Sequence, residues 1–439
     1  MHSLHFLEKL IQITRSETDL LPPNVYAVGD EEILRQEDEC TRMKSIIYMI
    51  LLLLYILTFV SCQDDSENNI EDLPSNIEFL IGADLSYVNQ IMDHDGIYSD
   101  KGIVASPYKI FKDHGADIVR LRLWHNPVWT KKVYGANEGQ SYNDLKDVTR
   151  AIELVKAQGM SVLLDIHYSD TWADPGRQEI PTAWKDIKAI DVLKDSVYQY
   201  TSMVLKHLAT LGLTPEFVQI GNETNCGMLY TNAPADFPAC NVCEGNWRTM
   251  GSVVSSAILA IRDASQSSTI KTKIVLHVAD PKNVEWWFDN MTAANGTGIH
   301  DFDIIGISYY PIWHTAVGVE QISDRINHFR DKFAKDVMIL ETAYPWTMDG
   351  ADEYHNVFDT QMPLSGYPFT PDGQYNFMVK LTQEVRDGGG LGIIYWEPAW
   401  ISSEMKDLWG TGSSWENCTF FDFDGNSIQG IDFMKHDYR

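Results

Sequence analysis

Eight short apolar runs, most of them separated by stretches of helical period, constrain this 439-residue chain more than any other feature. They lie at Glu78–Ala83, Ile118–Leu123, Ser161–Ile166, Phe217–Gly221, Lys273–His277, Asp303–Ser308, Val337–Leu340 and Leu391–Trp396. Between them, Asp144–Gln158 and Asp191–Leu211 place apolar residues three and four apart, the period of a helix with one buried face. Near-continuous apolar strands alternating with such helices belong to a parallel sheet covered on both sides. A doubly wound sheet would carry a glycine-rich phosphate loop after an early strand, and none stands there. The expected fold is therefore α/β, a single (β/α)8 barrel with long βα loops.

In such a barrel chemistry belongs at the C-terminal strand ends. Glu223 follows the run that ends at Asn222, and Glu341 follows Leu340. A lone glutamate at a strand end is most often solvated or paired with a cation. Two of them, delivered from different strands to one mouth, are what a retaining glycosidase needs as acid/base and nucleophile. Asn222 adds an amide suited to hold a sugar hydroxyl. Arg122 is placed to sit near Glu341 and keep it ionised, since an adjacent cation lowers a carboxylate's pKa. Glu397, beside Pro398, reads as loop or subsite structure. Aromatic residues at the strand ends, among them Trp172, Tyr309, Trp396 and Trp400, offer flat faces to sugar rings.

Seven segments carry a resemblance: Gly82–Ser86, Val119–Trp124, Leu164–Pro175, Val218–Asn225, Ile307–Pro311, Glu341–Trp346 and Tyr395–Pro398. In that order they resemble the endo-β-1,4-galactanases of glycoside hydrolase family 53, members of a large clan of retaining (β/α)8 enzymes. The resemblance implies that Glu223 is the acid/base, Glu341 the nucleophile, and Asn222 the ligand of the sugar 2-hydroxyl. Arg122, His167 and Tyr309 are the next expected contacts, with Trp396 as the platform under the same sugar. Asp84, Trp172, Asp174 and Trp400 are expected in further subsites. It implies β-1,4-galactan of pectic arabinogalactan as substrate, no required cofactor, and a monomer. Some bacterial members hold calcium in a long loop after the last strand. Asp422, Asp424 and Asn426 offer oxygen ligands there, with a hydrogen-bonded acidic turn as the other expectation. The rivals are a mannan- or xylan-cleaving relative and a non-catalytic glycan-binding surface lipoprotein. Retention of both glutamates counts against the second.

Ile46–Val60 is an apolar run of fifteen residues, short of the ~20 that span a bilayer and within the ~7–15 of a signal core. With Arg42 and Lys44 before it and Ser61-Cys62 after it, the segment resembles a bacterial lipoprotein signal, and Cys62 is the expected lipidation site. Residues 1–42 then form an upstream leader outside the native protein, 43–62 the signal, 63–75 an acidic tether and 76–439 the barrel domain. An exported lipoprotein of the outer membrane is expected, with an uncleaved signal anchor as the alternative. The net charge of −28, with no basic stripe, argues against a nucleic-acid partner. Cys240 and Cys243 have CxxC spacing, but no second pair completes a zinc site. Cys226 bonded to either of them would staple the loop after Glu223.

Overall fold

A computed structural model describes residues 79–135, 139–266 and 268–438. The segments expected to be leader, signal and tether, with Cys62, lie outside the described residues. Eight parallel strands close into a barrel: β1 (Leu80–Asp84), β2 (Ile118–Leu123), β3 (Ser161–Ile166), β4 (Phe217–Ile220), β5 (Lys273–Ala279), β6 (Ile304–Ser308), β7 (Asp336–Glu341) and β8 (Gly392–Tyr395). Each strand pairs with its sequence neighbours, and β1 closes the ring by pairing with both β8 and β2. Every expected strand is found, with its ends shifted by two residues or fewer.

β2 shows how sequence becomes two layers. Val119, Leu121 and Leu123 point outward into the apolar shell beneath the helices. Ile118 points inward and joins Leu163, Val275, Met338 and Ile394 in a plug at the bottom of the barrel. The same inward file continues upward as Arg120 and Arg122, both buried. The barrel thus changes from apolar to charged along a single strand. The plug is tight: a Cβ at Gly306 would fall 2.2 Å from Leu340 Cδ1, so β6 leaves that space to the leucine.

The covering helices are α1 (Pro107–Asp113), α2 (Leu145–Ala157), α3 (Ile190–Thr210), α4 (Trp247–Gln266), α5 (Pro281–Thr292), α6 (Ile322–Phe333) and α7 (Pro371–Asp387). In α2, Val148, Ala151, Ile152 and Val155 form the buried stripe, and the Asp144 side chain caps the start by accepting from Asp147 N–H. The cap adds about 1 kcal/mol. Each large buried aliphatic adds roughly 1.5–3 kcal/mol, so packing rather than capping holds the helix. After β8 a short 3-10 helix, Gln429–Lys435, packs on α7 where an eighth helix would stand. The chain between β8 and this helix is thereby free to build loops over the barrel mouth.

Within that stretch, Asp422 Oδ1 accepts from the backbone N–H groups of Asp424 and Asn426, at 3.0 and 2.8 Å. Asn426 Oδ1 accepts from Ser99 Oγ at 2.6 Å. These are the contacts of a hydrogen-bonded acidic turn tied to the loop after β1.

Candidate active site

Arg120 organises the mouth of the barrel. Its Nε donates to Gln219 Oε1 at 3.1 Å, and its Nη1 lies 2.8 Å from Asp84 Oδ2 and 2.9 Å from Glu341 Oε1. Its Nη2 donates to Asp165 Oδ2 and Asn222 Oδ1, both at 2.7 Å. A guanidinium has five N–H groups, and here each has a partner. Burial opposes the charge, but Asp165, Glu341 and Asp84 more than offset it and hold the group protonated. One cation on β2 therefore fixes residues from four other strands, β1, β3, β4 and β7.

Glu341 ends β7 and is buried; besides Arg120 it accepts a hydrogen bond from the Tyr310 phenol at 3.0 Å. Glu223 stands three residues beyond β4, on a left-handed turn (φ 45°), and is partly exposed to the cleft. One oxygen of each carboxylate lies within 4.8 Å of the other and of a His277 nitrogen, the only such group of three among the described residues. The two glutamates have unequal surroundings. Withdrawal from water, then the neighbouring Glu341 charge, pushes the Glu223 carboxyl up to about 8. Glu341 is raised by burial too, but Arg120 opposes the rise and it reaches only about 6. Between those values the favoured state is one proton held by Glu223 and a charge on Glu341.

Around the pair lies a cleft of about 570 Å³, lined by Asn222, His167, Trp172, Asp174, Trp396 and Trp400 among others. Trp396 meets Trp415 edge-on at 4.8 Å and Trp172 at 6.0 Å. His167 accepts from Trp124 Nε1 and Ala173 N–H at its Nδ1, both at 3.2 Å, so its Nε2 donates to Asp165 at 3.0 Å. Burial pushes its pKa down, and it stays neutral.

Three expected contacts are corrected. Arg122 does line the cleft, but it is not the partner of Glu341. It pairs with buried Glu397 at 3.2 Å, and its guanidinium lies over Trp172 at 4.0 Å and Tyr87 at 4.6 Å. Arg120, two residues deeper on the same inward file, reaches Glu341 instead. Tyr309 is turned away, its phenol donating to Val317 O at 2.8 Å; Tyr310 takes the expected place. The alternation of β6 accounts for this: Ile304, Gly306 and Ser308 face inward and Tyr310 continues that file, while Ile305, Ile307 and Tyr309 face the outer shell. Asp84 is fully buried and serves Arg120 rather than the cleft. Glu397 shares the left-handed conformation of Glu223 (φ 46°), and burial, then the charge of Asp84, pushes its carboxyl up to about 8.

The open cysteine question resolves to Cys226–Cys243, with Cys240 and Cys418 free and buried. The bridge closes the loop after Glu223 beside a two-stranded hairpin, Gly227–Met228 with Cys240–Asn241. Gly227 has φ 98°, and a Cβ there would fall 1.9 Å from the Cys240 carbonyl oxygen; only glycine fits.

The family model for glycosyl hydrolase family 53 matches residues 80–434, the whole barrel. The chain belongs to glycosyl hydrolase family 53. It is 41% identical to an arabinogalactan endo-β-1,4-galactanase of Cellvibrio japonicus, over 83% of this chain and 92% of that one. An endo-β-1,4-galactanase of Bacillus subtilis is 29% identical over 82% of this chain and 86% of its own length. Among solved structures, the family 53 catalytic domain of Ignisphaera aggregans superposes with a TM-score of 0.71 at 31% identity, covering 83% of this chain and 97% of that chain. A fungal β-1,4-galactanase gives 0.66 at 28% identity, over 81% of this family 53 chain and 99% of the fungal one.

Proposed function

We propose that this protein is an endo-acting retaining hydrolase of β-1,4-galactan, working by double displacement. The observation that carries the reading is the close, unequal carboxylate pair. Oxygens within 4.8 Å suit the ~5–5.5 Å separation of retaining enzymes and leave no room for the water that inverting enzymes place across ~6.5–9.5 Å. Glu341, held ionised by Arg120 and Tyr310, attacks the anomeric carbon. Glu223, holding its proton because burial and Glu341 oppose its ionisation, protonates the departing glycosidic oxygen. Once the glycosyl bond neutralises Glu341, the repelling charge is gone and the Glu223 pKa falls, so Glu223, having given its proton to the leaving group, stays ionised and takes a proton from the entering water. Asn222, fixed by Arg120, presents its amide beside the same sugar, and Trp396 offers a face beneath it. The galactan substrate is inferred from the Cellvibrio and Bacillus relatives.

The test is incubation with linear β-1,4-galactan, mannan and xylan, following reducing ends and the anomer first released. Short galacto-oligosaccharides with retained β-configuration support the proposal. Cleavage of mannan or xylan instead overturns the substrate, and an inverted anomer overturns the mechanism. We also propose that Cys62 is lipidated and anchors the exported enzyme to the outer membrane, on the strength of the apolar run and Ser61-Cys62-Gln63. Incorporation of labelled palmitate that Cys62→Ser abolishes is the expected result.

A further inference from the structure

His277, on β5, lies beneath the carboxylate pair and has no part in the two-carboxylate reaction. It is fully buried and grips the turn that carries Glu223. Its carbonyl oxygen accepts from both the N–H and the hydroxyl of Thr224, each at 3.0 Å. Its Nδ1 accepts from the Glu223 N–H at 3.2 Å and from Gln219 Nε2 at 3.0 Å. Its Nε2 lies 2.9 Å from Ser308 Oγ, and the Ser308 hydroxyl is near enough to the Glu223 carboxylate to favour its ionised form. Two N–H donors aimed at Nδ1 place the ring proton on Nε2. The ring then donates to Ser308 Oγ, and the serine hydrogen is left for Glu223. Asn222 Oδ1, 2.9 Å from Nδ1, already accepts from Arg120 and Gln219 and needs no proton from the ring.

We propose that His277 and Ser308 are positioning residues for Glu223, one pinning its left-handed backbone turn and both orienting a donor at its carboxylate. The inference rests on the reading of Glu223 as acid/base. A residue with a side chain resists φ 45°, so the turn needs bonds that over-determine it, and the His277 contacts supply them. When Glu223 gives up its proton, the charge appears beside a serine hydroxyl whose oxygen His277 already holds, so little reorganisation is needed at that moment. His277 itself stays neutral, because burial and the Arg120 charge push its pKa well below the usual range. It exchanges no proton; it orients one. The charged groups facing Glu223 are Glu341, Asp174 and Arg120, and those facing His277 are Arg120 and Asp165, beside the neutral but titratable His167.

The experiment uses the full chain carrying Ser308→Ala, Ser308→Thr, His277→Gln or Glu223→Gln. kcat/KM is measured against pH on galactan and on a 2,4-dinitrophenyl β-galactobioside, whose leaving group needs no proton. Loss of a hydrogen bond to a charged group moves the alkaline limb of Ser308→Ala up by about one pH unit. The same variant loses roughly tenfold on galactan, part of the 10²–10⁴ that general acid catalysis supplies, while dinitrophenolate release changes little. Ser308→Thr restores the native profile. His277→Gln loses more than Ser308→Ala on galactan, since it also frees the Glu223 backbone. An unmoved alkaline limb in Ser308→Ala, or equal losses on both substrates, overturns the proposal. Glu223→Gln separates the two readings. If it keeps galactan activity, the acid/base assignment itself falls. If it loses galactan activity and keeps a dinitrophenolate burst while Ser308→Ala behaves as wild type, only the positioning role falls.

Discussion

Replacement of Arg120 by lysine keeps the charge and removes the geometry. The guanidinium serves Gln219, Asp84, Glu341, Asp165 and Asn222 with five N–H groups; an ammonium has three. At least two of the five partners lose their donor in a site that water does not reach. At about 1.5–3 kcal/mol per hydrogen bond involving a charged group, the deficit is about 3–6 kcal/mol. That is a large part of a folding stability of about 5–15 kcal/mol. At roughly 2 °C per kcal/mol for a large domain, the melting midpoint falls by about 6–12 °C. The loss also reaches the chemistry. Arg120 is the main influence opposing the rise of the Glu341 pKa, which stands at about 6. A weaker grip raises it further, so less of the nucleophile is ionised near neutrality and the acid limb of kcat/KM moves to higher pH. Circular dichroism melts and pH–rate profiles on galactan measure both effects. A midpoint within about 2 °C of the native protein would refute the five-partner reasoning, since even two lost charged hydrogen bonds exceed that shift. A lowered midpoint with an unmoved acid limb would leave Arg120 as architecture and remove it as the regulator of Glu341.

The native pH–rate profile is expected to be bell-shaped, with limbs near the about 6 of Glu341 and the about 8 of Glu223, as titration of kcat/KM will check. Stability runs the other way. Glu223 and Glu341 are both raised above their ordinary 4.5, so the folded state binds more protons; the stability this contributes is full below about 4.5 and is lost as pH rises through about 8. Urea unfolding from pH 5 to 8 should show the decline, and Glu223→Gln should flatten it. Replacing Cys226 and Cys243 by serine opens a loop of sequence separation 17, which lowers stability by about 3 kcal/mol and hastens proteolysis between those positions. Cys240, whose thiol burial pushes up to about 12, should resist thiol reagents until the protein unfolds.

The barrel was legible because strand runs recur eight times, most of them separated by helical period, and the glutamates because each stands at a strand end. The errors are local and have physical causes. Arg120 and Arg122 lie on the same inward file of β2, and periodicity assigns a face but not a depth. Which arginine reached Glu341 depended on how far up the barrel that carboxylate sat. Tyr310 was within reach of the pattern, since the inward file of Ile304, Gly306 and Ser308 runs on to it, and the expectation of Tyr309 did not follow that alternation past the strand end. His277 stood in view at the end of β5. Its work is done through Thr224, Glu223 and Ser308, contacts between three strand ends that no linear pattern records. The partner of Cys226 was settled only by the hairpin that brings Cys243 to it and buries Cys240.

The left-handed turn at Glu223 has a consequence for how this protein can change over generations. A side chain there costs about 1–2 kcal/mol against a glycine, and a carboxyl pushed up to about 8 adds a second burden at neutral pH. A library of variants screened only for heat resistance would therefore enrich losses at position 223, glycine foremost. Only a screen that feeds the cell on what the enzyme releases would keep the glutamate in place.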